Sequence, residues 1–216
     1  MSNQRVFKKV SILILFATCL ALGNVFAQET REVLHNEGKK YSEQGNYDQA
    51  ISSFTKAIEL NSHDALAYAN RGFAYVQKGD NDQSILDCTK AIELDPNLGV
   101  AYIARGVAYH NQGNYDKALL DSTKAVELNP NSALAYNTRG LNYGAKGNYD
   151  QALLDATKAI QLVPDFDEAY YNRAVAYYFK HEYDTAWTDI HKAEALGYKI
   201  DPRFLKELQR DSRREK

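Results

Sequence analysis

Five histidines (35, 63, 110, 181 and 191) and two cysteines, Cys19 and Cys88, are the side chains of this 216-residue chain best suited to metal or nucleophilic chemistry. Their spacing supports neither. No pair of histidines stands in an HExxH arrangement or at another ligand spacing, so no metal site is expected. Beyond residue 27 Cys88 stands alone, which leaves no intrachain disulfide and reads as an inert apolar core thiol. There is no Gly-rich phosphate loop, nucleophile elbow or isolated carboxylate pair, and no cofactor is expected. One phrase carrying Asp and Tyr does recur: GNYDQA at 45–50 and again at 147–152, with GNYDKA at 113–118. A catalytic phrase needs one copy, whereas a structural joint needs one per unit.

The elements around that phrase repeat with it. Shifting the chain by 34 residues aligns 68–96 with 102–130 and 136–164 without a gap, and the same shift reaches 34–62 and 170–198. Five units follow, at 31–64, 65–98, 99–132, 133–166 and 167–200, before a tail at 201–216. Within each unit, Tyr102, Gly106 and Tyr109 and their equivalents take the three-and-four spacing of one helix, and Tyr115, Ala118, Ser122 and Ala125 that of a second. Small residues such as Gly106 and Ala118 let the two backbones approach, which makes each unit a helical hairpin. Pro96, Pro130 and Pro164 end the second helices. All of the sixteen tyrosines except Tyr171, Tyr178 and Tyr198 hold unit positions 4, 11 or 17, a core pattern and not a base-stacking platform.

GNYDQA falls at unit positions 15 to 20, between the two helices. Gly45 suits the left-handed turn that ends the first helix; Asn46 can cap the second, with Gln49 completing a capping box and Asp48 in its first turn. The variants GDNDQS at 79 and HEYDTA at 181 predict looser turns. Arg71, Arg105, Arg139 and Arg173 at position 7 accompany Asp87, Asp121, Asp155 and Asp189 at position 23, and the first unit has Glu37 and Ser53 instead. Joint loss predicts that they pair, inside a unit or across a junction that the first unit lacks; if exposed, such a pair contributes little.

These residues closely resemble the tetratricopeptide repeat family, with its aromatic at position 4, Gly or Ala at 8, Tyr at 11, Ala at 20 and 27 and Pro at 32. Leu34, Ser62 and Tyr198 depart from that pattern, and position 24 is mostly small or aliphatic. The resemblance implies an all-α fold: a right-handed α-solenoid of five stacked hairpins, closed by a C-terminal capping helix in which Phe204, Leu205 and Leu208 face inward. It also implies a concave groove lined by first-helix positions 2, 5, 9, 12 and 13. The partner-binding residues are then Phe73, Val76, Gln77, Ile103, Val107, His110, Asn111, Asn137, Leu141, Tyr171, Val175 and Tyr178, beside Val100, Leu134, Gly144, Ala145, Glu168 and Phe179. Glu32, His35, Lys39, Ser42 and Glu43 make the first unit's share polar. At position 9, Phe73, Val107, Leu141 and Val175 either face the groove or pack between neighbouring first helices. The family's carboxylate clamp would need cations where His35, Val100 and Ala104 stand, and Lys39 with Asn70 is too little to rebuild it. An extended or helical apolar segment is the expected occupant.

Residues 1–27 differ in composition. Arg5, Lys8 and Lys9 precede the apolar run VSILILFATCLAL at 10–22, and Val25-Phe26-Ala27 suits a cleavage site. A cleavable signal peptide, hence a periplasmic or secreted bacterial protein, is expected; a retained anchor is the alternative. Cleavage would remove three cations and no acids and leave a net charge of −5, against −2 for the whole chain, which argues against nucleic acid. The sequence therefore predicts a non-catalytic scaffold that holds a protein or peptide in its groove in the cell envelope. A second reading is a structural protein that self-associates through its terminal units, where Tyr171, Tyr178, Phe179 and Trp187 would be presented.

Overall fold

At the elbow of every hairpin the same backbone turn is built. In a computed structural model that describes residues 25–26 and 28–214, Gly45, Gly79, Gly113 and Gly147 have φ of 74°, 88°, 75° and 76°. The amide one residue further on donates to the carbonyl of the position-11 tyrosine, Tyr41, Tyr75, Tyr109 or Tyr143, at 2.8–2.9 Å, while the glycine amide donates to the residue after that tyrosine. Both orphan carbonyls are thus satisfied as the chain reverses. The fifth elbow keeps these bonds with His181 at φ 62°, a conformation that glycine takes without steric cost.

Helices fill the rest. The hairpins are α1 (28–43) with α2 (Tyr47–Leu60), α3 (Ala65–Lys78) with α4 (Asn81–Leu94), α5 (Gly99–Asn111) with α6 (Tyr115–Leu128), α7 (Ala133–Ala145) with α8 (Tyr149–Leu162), and α9 (Asp167–Phe179) with α10 (Tyr183–Ala195). A last helix, α11 (Pro202–Arg214), follows. The expected leader, 1–27, lies outside the described residues apart from Val25 and Phe26. No described helix is long and apolar enough to cross a membrane.

Caps decide where the second helices begin, and here two expectations change. Asp80 accepts from the Gln83 amide, Asn114 from Lys117 and Asn148 from Gln151, so the GDNDQS turn is capped as well as the consensus turns. Asn46 makes no such bond; its amide turns back to Gln44. A hydrogen-bonding neighbour two residues earlier holds the cap side chain instead. Glu182 also leaves its helix without a side-chain cap, so the fifth elbow is the weakened one.

Packing is layered. First helices α3, α5, α7 and α9 pack against one another in succession, and each second helix packs on the first helices on either side of it. First helices therefore form the inner, concave layer and second helices the outer one, the geometry of a solenoid. Position 8 meets position 24 where the helices cross: Gly38 faces Phe54, Gly72 faces Cys88, and Ala174 packs with Ile190. A Cβ on Gly38 would stand 2.5 Å from the Phe54 ring, so only glycine admits that phenylalanine.

The Arg–Asp series is neither exposed nor confined to one unit. Arg71, Arg105, Arg139 and Arg173 each hold their aspartate with two bonds, Nε to Oδ2 at 2.6–2.8 Å and Nη2 to Oδ1 at 2.7–2.9 Å. The aspartates are buried, and each guanidinium lies over the position-4 tyrosine of its own unit at 5.4–5.7 Å. Nη1 of Arg71, Arg105 and Arg173 donates to Thr55, Thr89 and Thr157 on the preceding hairpin. The forked guanidinium thus ties two units together. The first unit has no described predecessor to hold and lacks the pair.

At the C-terminal end, α11 lies where a sixth first helix would stand. Leu208 is fully buried against Ala174, Ala186 and Ile190, with Tyr171, Trp187 and Phe204 around it. Tyr178 donates to Asp211 at 2.7 Å and Trp187 Nε1 to Ser212 at 3.4 Å. Of the aromatics expected at a free end, Tyr171, Tyr178 and Trp187 are covered by the chain itself, whereas Phe179 stays exposed.

Candidate groove on the concave face

Where α5, α7 and α9 run side by side, the inner layer opens into a depression of about 320 Å³. Its walls are Leu141, Val175, Ala176 and Phe179, its floor is Gly140, Gly144, Ala145 and Ala152, and His110, Tyr149 and Asn172 supply polar atoms. Gly140 lets α7 lie close on α8, where a Cβ would stand 3.2 Å from the Ala152 carbonyl, Gly144 adds no side chain above Ala152, and the ring of Phe179, stacked on Tyr149 at 4.9 Å, closes one side.

His110 is set by its neighbours. The Asn142 amide donates to the Ala118 carbonyl and to Ser122 Oγ, both at 3.2 Å, which fixes its orientation because that carbonyl can only accept. Asn142 Oδ1 must then receive a proton, and His110 Nδ1, 2.8 Å away, donates it. The remaining ring nitrogen, Nε2, is left as an acceptor in the neutral ring. Asn172 donates to Asn137 at 2.9 Å, which orients its amide on the opposite wall.

Of the residues expected to meet a partner, His110, Leu141 and Val175 come together in this depression, with Gly144, Ala145 and Phe179. Phe73 and Val107 are half-buried on the same layer, so position 9 both packs between first helices and borders the groove; Gln77 is exposed. Val76, Ile103 and Asn137, also expected there, are 6 %, 6 % and 2 % exposed. Ile103 packs against Tyr102, Val126 and Ala135, Val76 lies inside the closely packed α3–α5 pair, and Asn137 is enclosed beneath Asn172. Neighbouring first helices close over them, an effect of the rotation between units. Asn111 is exposed but bonds Asn81 of the preceding unit at 3.0 Å. Tyr171 stacks on Tyr198 at 4.8 Å and Tyr178 packs edge-on to Phe204, so α11 takes both out of the groove.

Five lining residues escaped the sequence reading, Gly140 and Ala152 at the helix crossing among them. Asn172 shares unit position 6 with Asn70, a signal that could have found it; Tyr149 and Ala176 carry core signatures. A second depression, about 520 Å³, lies at the start of α5 and α7, where Val100 and Leu134 form its rim and Ile103 its base. In the first unit a polar recess of about 380 Å³ holds Arg31, Glu32, His35 and Lys39, with Asp64 accepting from His35 and approached by Arg31 at 3.4 Å. Its character matches the polar residues expected there. Near the C-terminus, burial and then Asp167 push the Glu168 carboxyl above the usual range, against a hydrogen bond from Asn137.

Comparison with known proteins agrees with this architecture. The TPR repeat model matches residues 38–79 and 140–180, and the tetratricopeptide repeat model matches 65–98 and 99–132. Among solved structures, the crystal structure of MamA is 28% identical over 74% of this chain and 93% of its own, with a TM-score of 0.58. YrrB, described as a TPR protein with an unusual peptide-binding site, is 26% identical over 76% of this chain and 84% of its own, at 0.55. A thermophilic TPR protein of Thermus thermophilus, 21% identical over 84% of this chain and 98% of its own, shares the fold at 0.70. No curated protein matches. Five matching elbows, five inner helices and the matched models lead to one conclusion: the chain belongs to the tetratricopeptide repeat family.

Proposed function

We propose that this protein is a non-catalytic scaffold that holds an extended apolar segment of a partner protein across the inner faces of α5, α7 and α9. The observation that carries the reading is the depression bounded by Leu141, Val175 and Phe179: apolar walls with oriented polar groups, His110 Nε2 and Asn172, at its edge. Such a surface buries an aliphatic or aromatic side chain and offers an acceptor and an amide to the backbone beside it. That YrrB is described as peptide-binding supports the same class of partner. Residues 1–27 support a cell-envelope location, and the covering of Tyr171, Tyr178 and Trp187 by α11 weighs against association through that end.

The test is peptide selection against the intact chain, followed by binding to Leu141→Glu/Val175→Glu. Both side chains are only half-buried, so helical content should survive. Loss of binding by tenfold or more with an unchanged circular dichroism spectrum is expected. Equal binding by the double variant would refute the groove reading.

A further inference from the structure

The outer layer carries an apolar feature that neither the hairpins nor the groove requires. Leu86, Leu120 and Leu154 stand at unit position 22 of the second, third and fourth units and are 62%, 72% and 62% exposed. The first and fifth units have Ser52 and Thr188 at the same position, so the hairpin itself does not demand leucine. The three form a row across α4, α6 and α8. On each helix an aspartate lies four residues before the leucine and a lysine four after: Asp82, Leu86, Lys90; Asp116, Leu120, Lys124; Asp150, Leu154, Lys158. Steps of four keep the three side chains on one helical face, over about 12 Å. The outer face is therefore striped: a row of carboxylates, a row of leucines, a row of ammonium groups.

We propose that this face is the contact between two copies of the chain. A stripe pattern of this kind is self-complementary under a two-fold axis that runs along the leucine row, because the rotation lays the acidic row of one copy on the basic row of the other. Asp82 then meets Lys90 of the second copy, Asp116 meets Lys124, Asp150 meets Lys158, and each leucine of the row meets its own counterpart. Beside Leu154 lies a depression of about 580 Å³, lined by Leu153, Thr157, Lys158 and Tyr177, which receives the second copy's Leu154. Existing bonds leave the charges available: Asp116 and Asp150, paired to Lys146 and Lys180, are still 85% and 76% exposed, and Lys90 and Lys124 are 47% and 45% exposed. Two outer faces touch over three helices each, a contact at the low end of specific interfaces, below about 1,200 Å² in total. The dimer is weak and reversible, and both concave grooves stay open on its outer sides.

Sedimentation equilibrium of the full chain with Lys124→Glu, with Asp116→Lys, and with an equimolar mixture of the two tests the arrangement. Each single variant sets like charges opposite each other twice and should weaken the dimer at least about tenfold; the mixture pairs every charge again and should restore it. Cysteine placement fixes the register independently. In a Cys19→Ser background, Leu120→Cys should crosslink to itself under mild oxidation. Leu86→Cys and Leu154→Cys should likewise each crosslink to themselves and not to each other when mixed; Cys88 is fully buried and stays out of the reaction. A chain that remains monomeric at about 100 μM, a dimer indifferent to the charge variants, or one lost on altering only the terminal units would each overturn the proposal. Groove variants leave this readout unchanged, so it stands or falls apart from peptide binding.

Discussion

At the scale of single residues, the Arg–Asp pairs govern stability. Asp121 is 5% exposed, and only the fork of Arg105 balances its charge. Arg105→Met strands that carboxylate and should cost about 3–5 kcal/mol in urea unfolding, whereas Arg105→Met with Asp121→Leu should recover most of the loss. A single-variant cost below about 1 kcal/mol would mean that the pair is solvated after all. Cys88 gives a second readout at this scale. Burial pushes its thiol up to about 12, with Ser84 opposing weakly. The folded chain holds this proton more tightly than the unfolded chain, so the group's contribution is intact at neutral pH and is lost as pH rises from the ordinary thiol range toward 12. Native protein at about pH 8 should resist iodoacetamide at Cys88 and react only after denaturant is added. The pairing of Arg with Asp was legible from their joint absence in the first unit; its burial was not, because the threonine and tyrosine that enclose it come from separate helices.

At the scale of elements, the elbow at 181 is the weak joint. His181 sits at φ 62° and Glu182 provides no cap. Relief of left-handed strain by His181→Gly should stabilise the chain by about 1 kcal/mol, a rise of roughly 2–4 °C in Tm. Gly113→Ala, at φ 75°, should lower it by a similar amount. The capping helix is held by one fully buried leucine, so Leu208→Ala should cost about 2–5 kcal/mol. Hydrogen exchange should rise first in α9 and α10, since each unit of a solenoid rests on its neighbours. Elbow, small-residue crossing and capping helix were all legible, because each depends on residues within a few turns of one another. The Asn46 cap was misjudged for a local reason: Gln44 engages its amide.

At the scale of the whole molecule, the repeat unit and its number follow from the sequence alone. A 34-residue period fixes which face of each helix is apolar, and a hairpin that cannot bury that face by itself must stack. The exposed leucine row was equally present in the sequence but had no meaning until the second helices were seen to form the outer layer. Tertiary structure alone decided which first-helix residues stay open on the inner face. Val76, Ile103 and Asn137 share a face with Leu141 and Val175 by periodicity, yet neighbouring helices cover the former and leave the latter open. It also decided that His110 is held across a unit junction by Asn142, thirty-two residues away. Periodicity describes a helix relative to its own axis; exposure depends on how far each unit turns against the next, and that angle is set by contacts between residues in different units.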